Sequence, residues 1–247
     1  MKLSDFKVLT FDCYGTLIDW ETGLFRALAG LRSAAGVSAD REEVLAEFAT
    51  HEAAQQAATP AMLYPQLLAQ VHRRLAQAWG AKVNEAAHLA FGRSVPDWPA
   101  FADTVAALRY LKRHYKLVIL SNVDRASFAA SNTRLGVSFD AICTAQDIGS
   151  YKPDARNFRY LITAVGRLDA QPPEILHTAQ SLFHDHAPAQ AAGLASAWID
   201  RRGERSGWGA TRAPEGTPSY NFRFDSLAAM VQAHEAETAS PSGPTDR

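Results

Sequence analysis

The stretch Val8 to Trp20, Val-Leu-Thr-Phe-Asp-Cys-Tyr-Gly-Thr-Leu-Ile-Asp-Trp, restricts the fold more than any other part of this chain. Val8 to Phe11 is a short apolar run of β-branched and aromatic residues, the pattern of a strand buried on both faces. It delivers Asp12 into a turn marked by Gly15, and Thr16 follows. A carboxylate where such a strand ends lies at the carboxyl edge of a parallel sheet, where open α/β sheets bind their ligands. Asp12 by itself suits a turn cap equally well. Three later strand ends that also carry polar residues shift the balance toward a site.

From Thr22 to about Arg93 the periodicity turns helical. Leu24, Leu28 and Leu31, then Val44, Leu45 and Phe48, recur at helical spacing, and Leu67, Leu68, Val71 and Leu75 share one stripe of a helix predicted over Leu63 to Trp79. No strand interrupts this block, which reads as an all-helical insert placed after the first strand. Ser94-Val-Pro-Asp-Trp-Pro is its return linker.

Beyond the linker, helices and strands alternate. Helices are predicted over Ala100–Tyr115, Asp124–Leu135, Ala155–Val165 and Pro188–Gly193, and strands over Lys116–Leu120, Phe139–Thr144, Ile175–Ala179 and Ala195–Asp200. Tyr220 to Phe224 adds a last strand and Ser226 to His234 a last helix. Such alternation implies right-handed crossovers and a doubly wound parallel sheet with helices on both faces. The small, polar tail over 235–247 is expected to be disordered.

The chain has 247 residues, 47% of them hydrophobic, enough for one large domain or a core with a smaller insert. Lys+Arg 25 against Asp+Glu 26 leaves a net charge of −1. No global field then favours nucleic acid or an anionic membrane, and neither is expected as a partner. Cys13 and Cys143 make no disulfide framework. No apolar run approaches a bilayer span and no basic-then-apolar leader opens the chain, so cytoplasm is the expected location. Gly-x-Gly-x-x-Gly, Walker-type and Gly-x-Ser-x-Gly patterns are absent from the sequence, which leaves nicotinamide, nucleotide and serine-hydrolase readings without support.

The strand ends carry Asp12, Ser121-Asn122, the loop with Lys152, and Ser181 to Asp185. In this order the set resembles the haloacid dehalogenase superfamily of hydrolases. Asp12-Cys-Tyr-Gly-Thr-Leu17 matches its first motif, Ser121-Asn122 its second, Lys152-Pro153-Asp154 its third, and Ser181 to Asp185 part of its acidic fourth. The resemblance covers roughly residues 6 to 232. It implies a Rossmann-like core over 1–19 and 97–234 and a helical cap over 20–96.

Within that superfamily, phosphatases place a second Asp two residues after the nucleophile and open the fourth motif with Gly-Asp to hold Mg²⁺. This chain has Tyr14 and Gln180-Ser181 there. The resemblance is therefore to the (S)-2-haloacid dehalogenase branch, which runs without metal or cofactor on a small carboxylic acid. It implies that Asp12 attacks the halogen-bearing carbon, that halide leaves, and that water hydrolyses the resulting ester. In the implied catalytic set Thr16 orients Asp12, Lys152 keeps it ionised, and Asp185, with Ser181, fixes Lys152 or steers water. The amides of Cys13 and Tyr14, with Ser121 and Asn122, would hold the substrate carboxylate.

Dehalogenases of this branch receive the halide on an Arg of the first cap helices, yet the matching region, Phe48 to Glu52, contains no Arg. Opening of a strained-ring carboxylic acid by the same attack, or phosphate-ester hydrolysis, are the competing readings. His184 and His186 flank Asp185 and are expected to line the pocket mouth or support Asp185, a metal pair being the weaker reading. Cap helices supply dimer contacts in this branch, so a homodimer is one option the resemblance opens.

Overall fold

A computed structural model describes residues 1–203 and 205–239. The chain enters through β1 (Val8–Phe11) and then runs through five helices, α1 (Trp20–Ala27), α2 (Ala29–Ala35), α3 (Arg41–Ala58), α4 (Tyr64–Ala78) and α5 (Glu85–Gly92). It returns through α6 (Thr104–Leu111), β2 (Lys116–Ser121), α7 (Arg125–Leu135), β3 (Ala141–Thr144), α8 (Ala145–Ile148) and α9 (Ala155–Gly166). It ends with β4 (Ile175–Ala179), a π-helical turn at Leu182–His186, α10 (Ala187–Ala191), β5 (Ala195–Ile199), β6 (Phe222–Phe224) and α11 (Leu227–Ala239).

The strands form one parallel sheet in the order β3-β2-β1-β4-β5-β6. Side chains alternate between its faces, as the pleat requires. Leu9, Phe11, Leu117 and Ile119 join Leu108, Leu111, Leu135 and Leu227 from α6, α7 and α11. Val8, Val118, Leu120 and Ile175 join Phe158, Leu161, Val165 and Ala189 from α9 and α10. Both faces are covered, which is why β1 is apolar throughout except at Thr10. The strand order reverses between β1 and β4, so the crevice outside their carboxyl ends is the binding position of a sheet like this one.

Helices α1 to α5 form the cap over that crevice. Their apolar stripes pack on each other through Leu24, Leu45, Phe48, Leu68, Val71 and Phe91. An aromatic cluster ties the cap to the core: the rings of Tyr14, Trp20 and Tyr64 lie 5.6, 6.4 and 6.4 Å from that of Trp98. Trp98 packs against the backbone of Gly23, where any side chain would collide with it.

The last helix departs from the sequence reading. It is predicted to end at His234, but α11 continues to Ala239, so the first part of the expected disordered tail is helix. Glu237 explains the extension, because its carboxylate accepts the N–H groups of Leu3 and Ser4, each at 3.0 Å. Residues 240–247 of that tail lie outside the described residues. Among the described residues, no helix is long and apolar enough to cross a membrane.

Candidate active site

Asp12 stands at the carboxyl end of the central strand β1, 6% exposed, with its N–H donating to the Thr178 carbonyl at 3.1 Å. The chain then turns tightly. The Cys13 carbonyl accepts the N–H groups of Leu17 (2.8 Å) and Ile18 (2.9 Å), and the Gly15 N–H donates to Ile18 at 2.8 Å. Gly15 sits at φ +96°, where a Cβ would also meet Gln180 Oε1 and Trp20 Nε1, each at 3.1 Å. Only glycine suits that backbone. The turn brings Thr16 back onto Asp12: its hydroxyl donates to Asp12 Oδ2 at 2.7 Å and accepts the Gln180 N–H at 2.9 Å.

Lys152 reaches the same place from the loop after α8. Asn122, just beyond β2, brackets its backbone, Oδ1 accepting the Lys152 N–H (2.6 Å) and Nδ2 donating to the Lys152 carbonyl (3.1 Å). The side chain is 2% exposed. An ammonium has three protons to donate, and Nζ has three acceptors: Asp12 Oδ1 at 2.9 Å, Asp185 Oδ1 at 2.6 Å and the Leu120 carbonyl at 3.1 Å. Asp185 is in turn held by His177 Nε2 at 2.9 Å, and His177 Nδ1 meets Thr10 Oγ1 at 2.8 Å. Thr10 and His177 are register partners on β1 and β4.

These contacts set the charges. Burial alone would depress Lys152, but Asp12 and Asp185 outweigh it and hold the ammonium protonated. Burial would raise Asp185 too, yet Lys152 and His177 pull it well below the usual carboxylate range. Asp12 goes the other way. Burial pushes its carboxyl up, Lys152 opposes this only in part, and Asp185 adds repulsion. The sequence reading has Lys152 holding Asp12 ionised; the structure shows Asp185 taking the shorter share of that ammonium, so Asp12 is the more basic of the two carboxylates.

The remaining predicted residues fall around this centre. Ser121 ends β2, and its Oγ is buried without a hydrogen-bond partner among the described residues. Ser181 Oγ accepts the His184 N–H at 2.9 Å and lies 3.2 Å from His184 Nδ1, capping the π-helical turn that carries Asp185. The Cys13 side chain is fully buried in the apolar core, so only its backbone is available to a ligand. The Tyr14 hydroxyl lies 2.8 Å from Ser131 Oγ on α7. His184 lines the cavity as expected, and burial pushes its imidazole down to about 4. His186 does not line the mouth. Its Nε2 donates to the Ala179 carbonyl and its Nδ1 faces Ser196 Oγ, each at 2.9 Å, because the turn directs it into the sheet's flank.

A family model described as haloacid dehalogenase-like hydrolase matches residues 6–193. The chain belongs to this family. Among solved structures, the L-2-haloacid dehalogenase PA0810 is similar at 24% identity and a TM-score of 0.74, over 92% of this chain and 98% of that one. The L-2-haloacid dehalogenase from Xanthobacter autotrophicus with chloropropionic acid covalently bound is similar at 15% identity and a TM-score of 0.73, over 95% and 100%. The putative HAD-hydrolase YfnB from Bacillus subtilis bound to magnesium is similar at 16% and 0.73, over 93% and 99%. At these identities the likeness is one of fold. No curated protein sequence matches the chain.

The haloacid dehalogenase-like fold also serves metal-dependent phosphatases, so the fit to Mg²⁺ matters. Here both Asp12 oxygens are engaged, Oδ1 by Lys152 and Oδ2 by Thr16, and Asp185 Oδ1 takes both Lys152 and His177. A phenol stands at position 14 and a hydroxyl engaged with His184 at 181. This donor set lacks the extra free carboxylates that a hard dication takes. The residues do not fit a magnesium ion.

Above Asp12 the cap closes a cavity of about 40 Å³, to which α1, α3 and α4 contribute Trp20, Glu52, Gln56 and Tyr64. Arg32 and Arg41, which precede the Phe48 to Glu52 region in sequence, do not line it. Arg32 covers the Phe25 ring at 4.0 Å, and Arg41 donates to Thr22 Oγ1 at 3.1 Å. Glu52 escaped the sequence reading. It is 4% exposed, Oε1 accepts the Tyr64 hydroxyl at 2.8 Å, and burial pushes its carboxyl up to about 7 against the opposing effect of that bond. A signal existed: Leu45, Phe48 and Glu52 share the buried stripe of α3, and an acid on an apolar stripe calls for a reason.

Proposed function

We propose that this hydrolase acts on a small 2-substituted carboxylic acid by covalent catalysis, without a metal. Asp12 attacks C2, the C2 substituent leaves, and water hydrolyses the Asp12 ester to release a 2-hydroxy acid. The observation that carries this reading is the water-poor pairing of Asp12 with Lys152 and Thr16. A partly desolvated, more basic carboxylate held by two donors is a competent nucleophile that cannot rotate away from its target. The buried Ser121 hydroxyl and the N–H groups of Cys13 and Tyr14, which have no acceptor among the described residues, would bind the substrate carboxylate. Asp185, oriented by His177, keeps Lys152 in place and lines the same cavity, where it would steer the hydrolytic water.

The likeness to L-2-haloacid dehalogenases supports a 2-haloalkanoic acid as substrate, halide being a leaving group that needs no proton. Ring opening by the same attack is the second reading, favoured by the absence, among the described residues that line the cavity, of an arginine to receive the halide. A single turnover in ¹⁸O-water tests the covalent step. The label should appear in the Asp12 carboxylate while the first product carries an unlabelled oxygen. Label in the first product with none in the enzyme would mean that water attacks the substrate directly.

A further inference from the structure

The cap contributes a carboxylate, Glu52, to the cavity above Asp12. Glu52 and Asp12 line one cavity of about 40 Å³, together with Lys152, Asp185 and His184. Lys152 is the one lysine or arginine among the lining residues, and its protons are already committed to Asp12, Asp185 and Leu120. Negative charge building on a departing halide would face Glu52, with no cationic side chain but Lys152 among the described lining residues. Glu52 Oε1 is taken by Tyr64, while Oε2 has no hydrogen-bond partner among the described residues. That oxygen is not among the buried unpartnered atoms, so it is reached from the cavity that Glu52 lines, where a cation would pair with it.

We propose that Glu52 receives the leaving atom, and that this atom is the positively charged nitrogen of a small strained cyclic 2-amino acid bound as its zwitterion. The inference rests on Asp12 as nucleophile and names the substrate class for that site. The zwitterion's carboxylate would meet the Cys13 and Tyr14 amides and Ser121, and its ring ammonium would meet Glu52 on the opposite wall. A neutral substrate of this kind adds no net charge to a site already rich in carboxylates.

The chemistry balances. A bond forms between an Asp12 oxygen and C2, the C2–N bond breaks, and its electron pair goes to nitrogen. The nitrogen enters as an ammonium and leaves as a neutral amine, still tethered to the same molecule and hydrogen-bonded to Glu52, and then takes a proton from water. Water hydrolyses the ester and frees Asp12, giving a 2-hydroxy acid with an amine at its other end. Ring strain supplies the drive that an unstrained amine leaving group would lack.

Tyr64 is the positioning residue. Its hydroxyl fixes the Glu52 rotamer and opposes the rise that burial imposes on the carboxyl. From the loop before Lys152, Tyr151 faces the same carboxyl, with its own hydroxyl donated to the Met62 carbonyl at 2.5 Å. From the core, Asp12, Lys152, Asp185 and His184 share the cavity, and His184 is neutral above about 4. Glu52 is thus the group that ionises close to neutrality.

The test compares azetidine-2-carboxylate with 2-chloropropionate on the full chain, following the primary amine and the chloride released. Ring opening should be faster by about 100-fold or more in kcat/KM, and should rise with pH through about 7. Glu52→Gln, which keeps an acceptor for Tyr64, should lower ring opening by about 100-fold and remove that rise. Tyr64→Phe should move the rise to higher pH, with the circular dichroism spectrum unchanged. Chloride release exceeding ring opening, or Glu52→Gln opening the ring at the wild-type rate, would overturn the role given to Glu52. If 2-chloropropionate were then still turned over through Asp12, the covalent 2-acid hydrolase would stand. Failure on both acids would overturn both readings.

Discussion

Lys152 shows what a single buried charge decides here. Its side chain is 1% exposed and its Nζ has three acceptors, so its removal leaves two carboxylates facing each other without a counter-charge. Breaking a buried ion pair by deleting one partner costs about 3–5 kcal/mol. Lys152→Ala is therefore expected to lose turnover and also to lower the denaturation midpoint by a matching amount, measurable by urea titration at pH 7. Near-normal stability in that variant would contradict the geometry. Glu52 yields the opposite sign. Its folded-state pKa of about 7 lies above the ordinary 4.5, so the native state holds its proton longer than the unfolded chain does. Stability from this group is therefore unaffected below about pH 4.5 and falls as pH rises to about 7, by about 3 kcal/mol in all. Glu52→Gln should equal the wild type in stability near pH 4 and exceed it at pH 8. Equal midpoints across that range would mean that Glu52 ionises normally.

At the scale of elements, the site is the meeting of three strand ends with two turns and a loop. β1 supplies Asp12, the Gly15 turn returns Thr16 to it, β2 leads to Asn122, which clamps the Lys152 loop, and β4 leads into the π-helical turn that carries Asp185. Each part is held by backbone hydrogen bonds, so the side chains need little further ordering when substrate arrives. The turn is the weakest part to alter. Gly15→Ala forces a side chain into φ +96° and against Gln180 and Trp20. Strain of this kind costs about 1–3 kcal/mol. It should also pull Thr16 off Asp12, so kcat is expected to fall more than the loss of stability accounts for. The check is kcat measured at a temperature where the variant remains fully folded. The Thr10–His177 pair on β1 and β4 is a second such device, because it fixes Asp185 from beneath the sheet.

For the whole molecule, the expectation is activity that survives EDTA, since Lys152 holds the two carboxylates that a metal would need. Loss of turnover on chelation, restored by Mg²⁺, would return the protein to a phosphatase reading. The acid limb of the pH profile should lie above the ordinary carboxylate value of 3.8, because burial raises the Asp12 carboxyl and protonation removes the nucleophile. Local pattern alone determined much of this molecule. Apolar run lengths placed the strands and helical spacing placed the insert, while Asp12, Thr16, Lys152 and Asp185 stood out through the resemblance of their motifs to those of the family. Those signals lie within a few residues of chain, where steric and turn preferences act. What the tertiary structure decided depends on segments far apart in sequence. Lys152 and Asp12 are 140 residues apart, and only the folded sheet shows that Asp185 holds the same ammonium more closely. His177 read as a strand residue until the register set it beside Thr10 and beneath Asp185. Glu52 read as one polar residue of a helix until the cap laid α3 over the crevice, because burial, which raises its pKa, is a property of packing and not of local sequence.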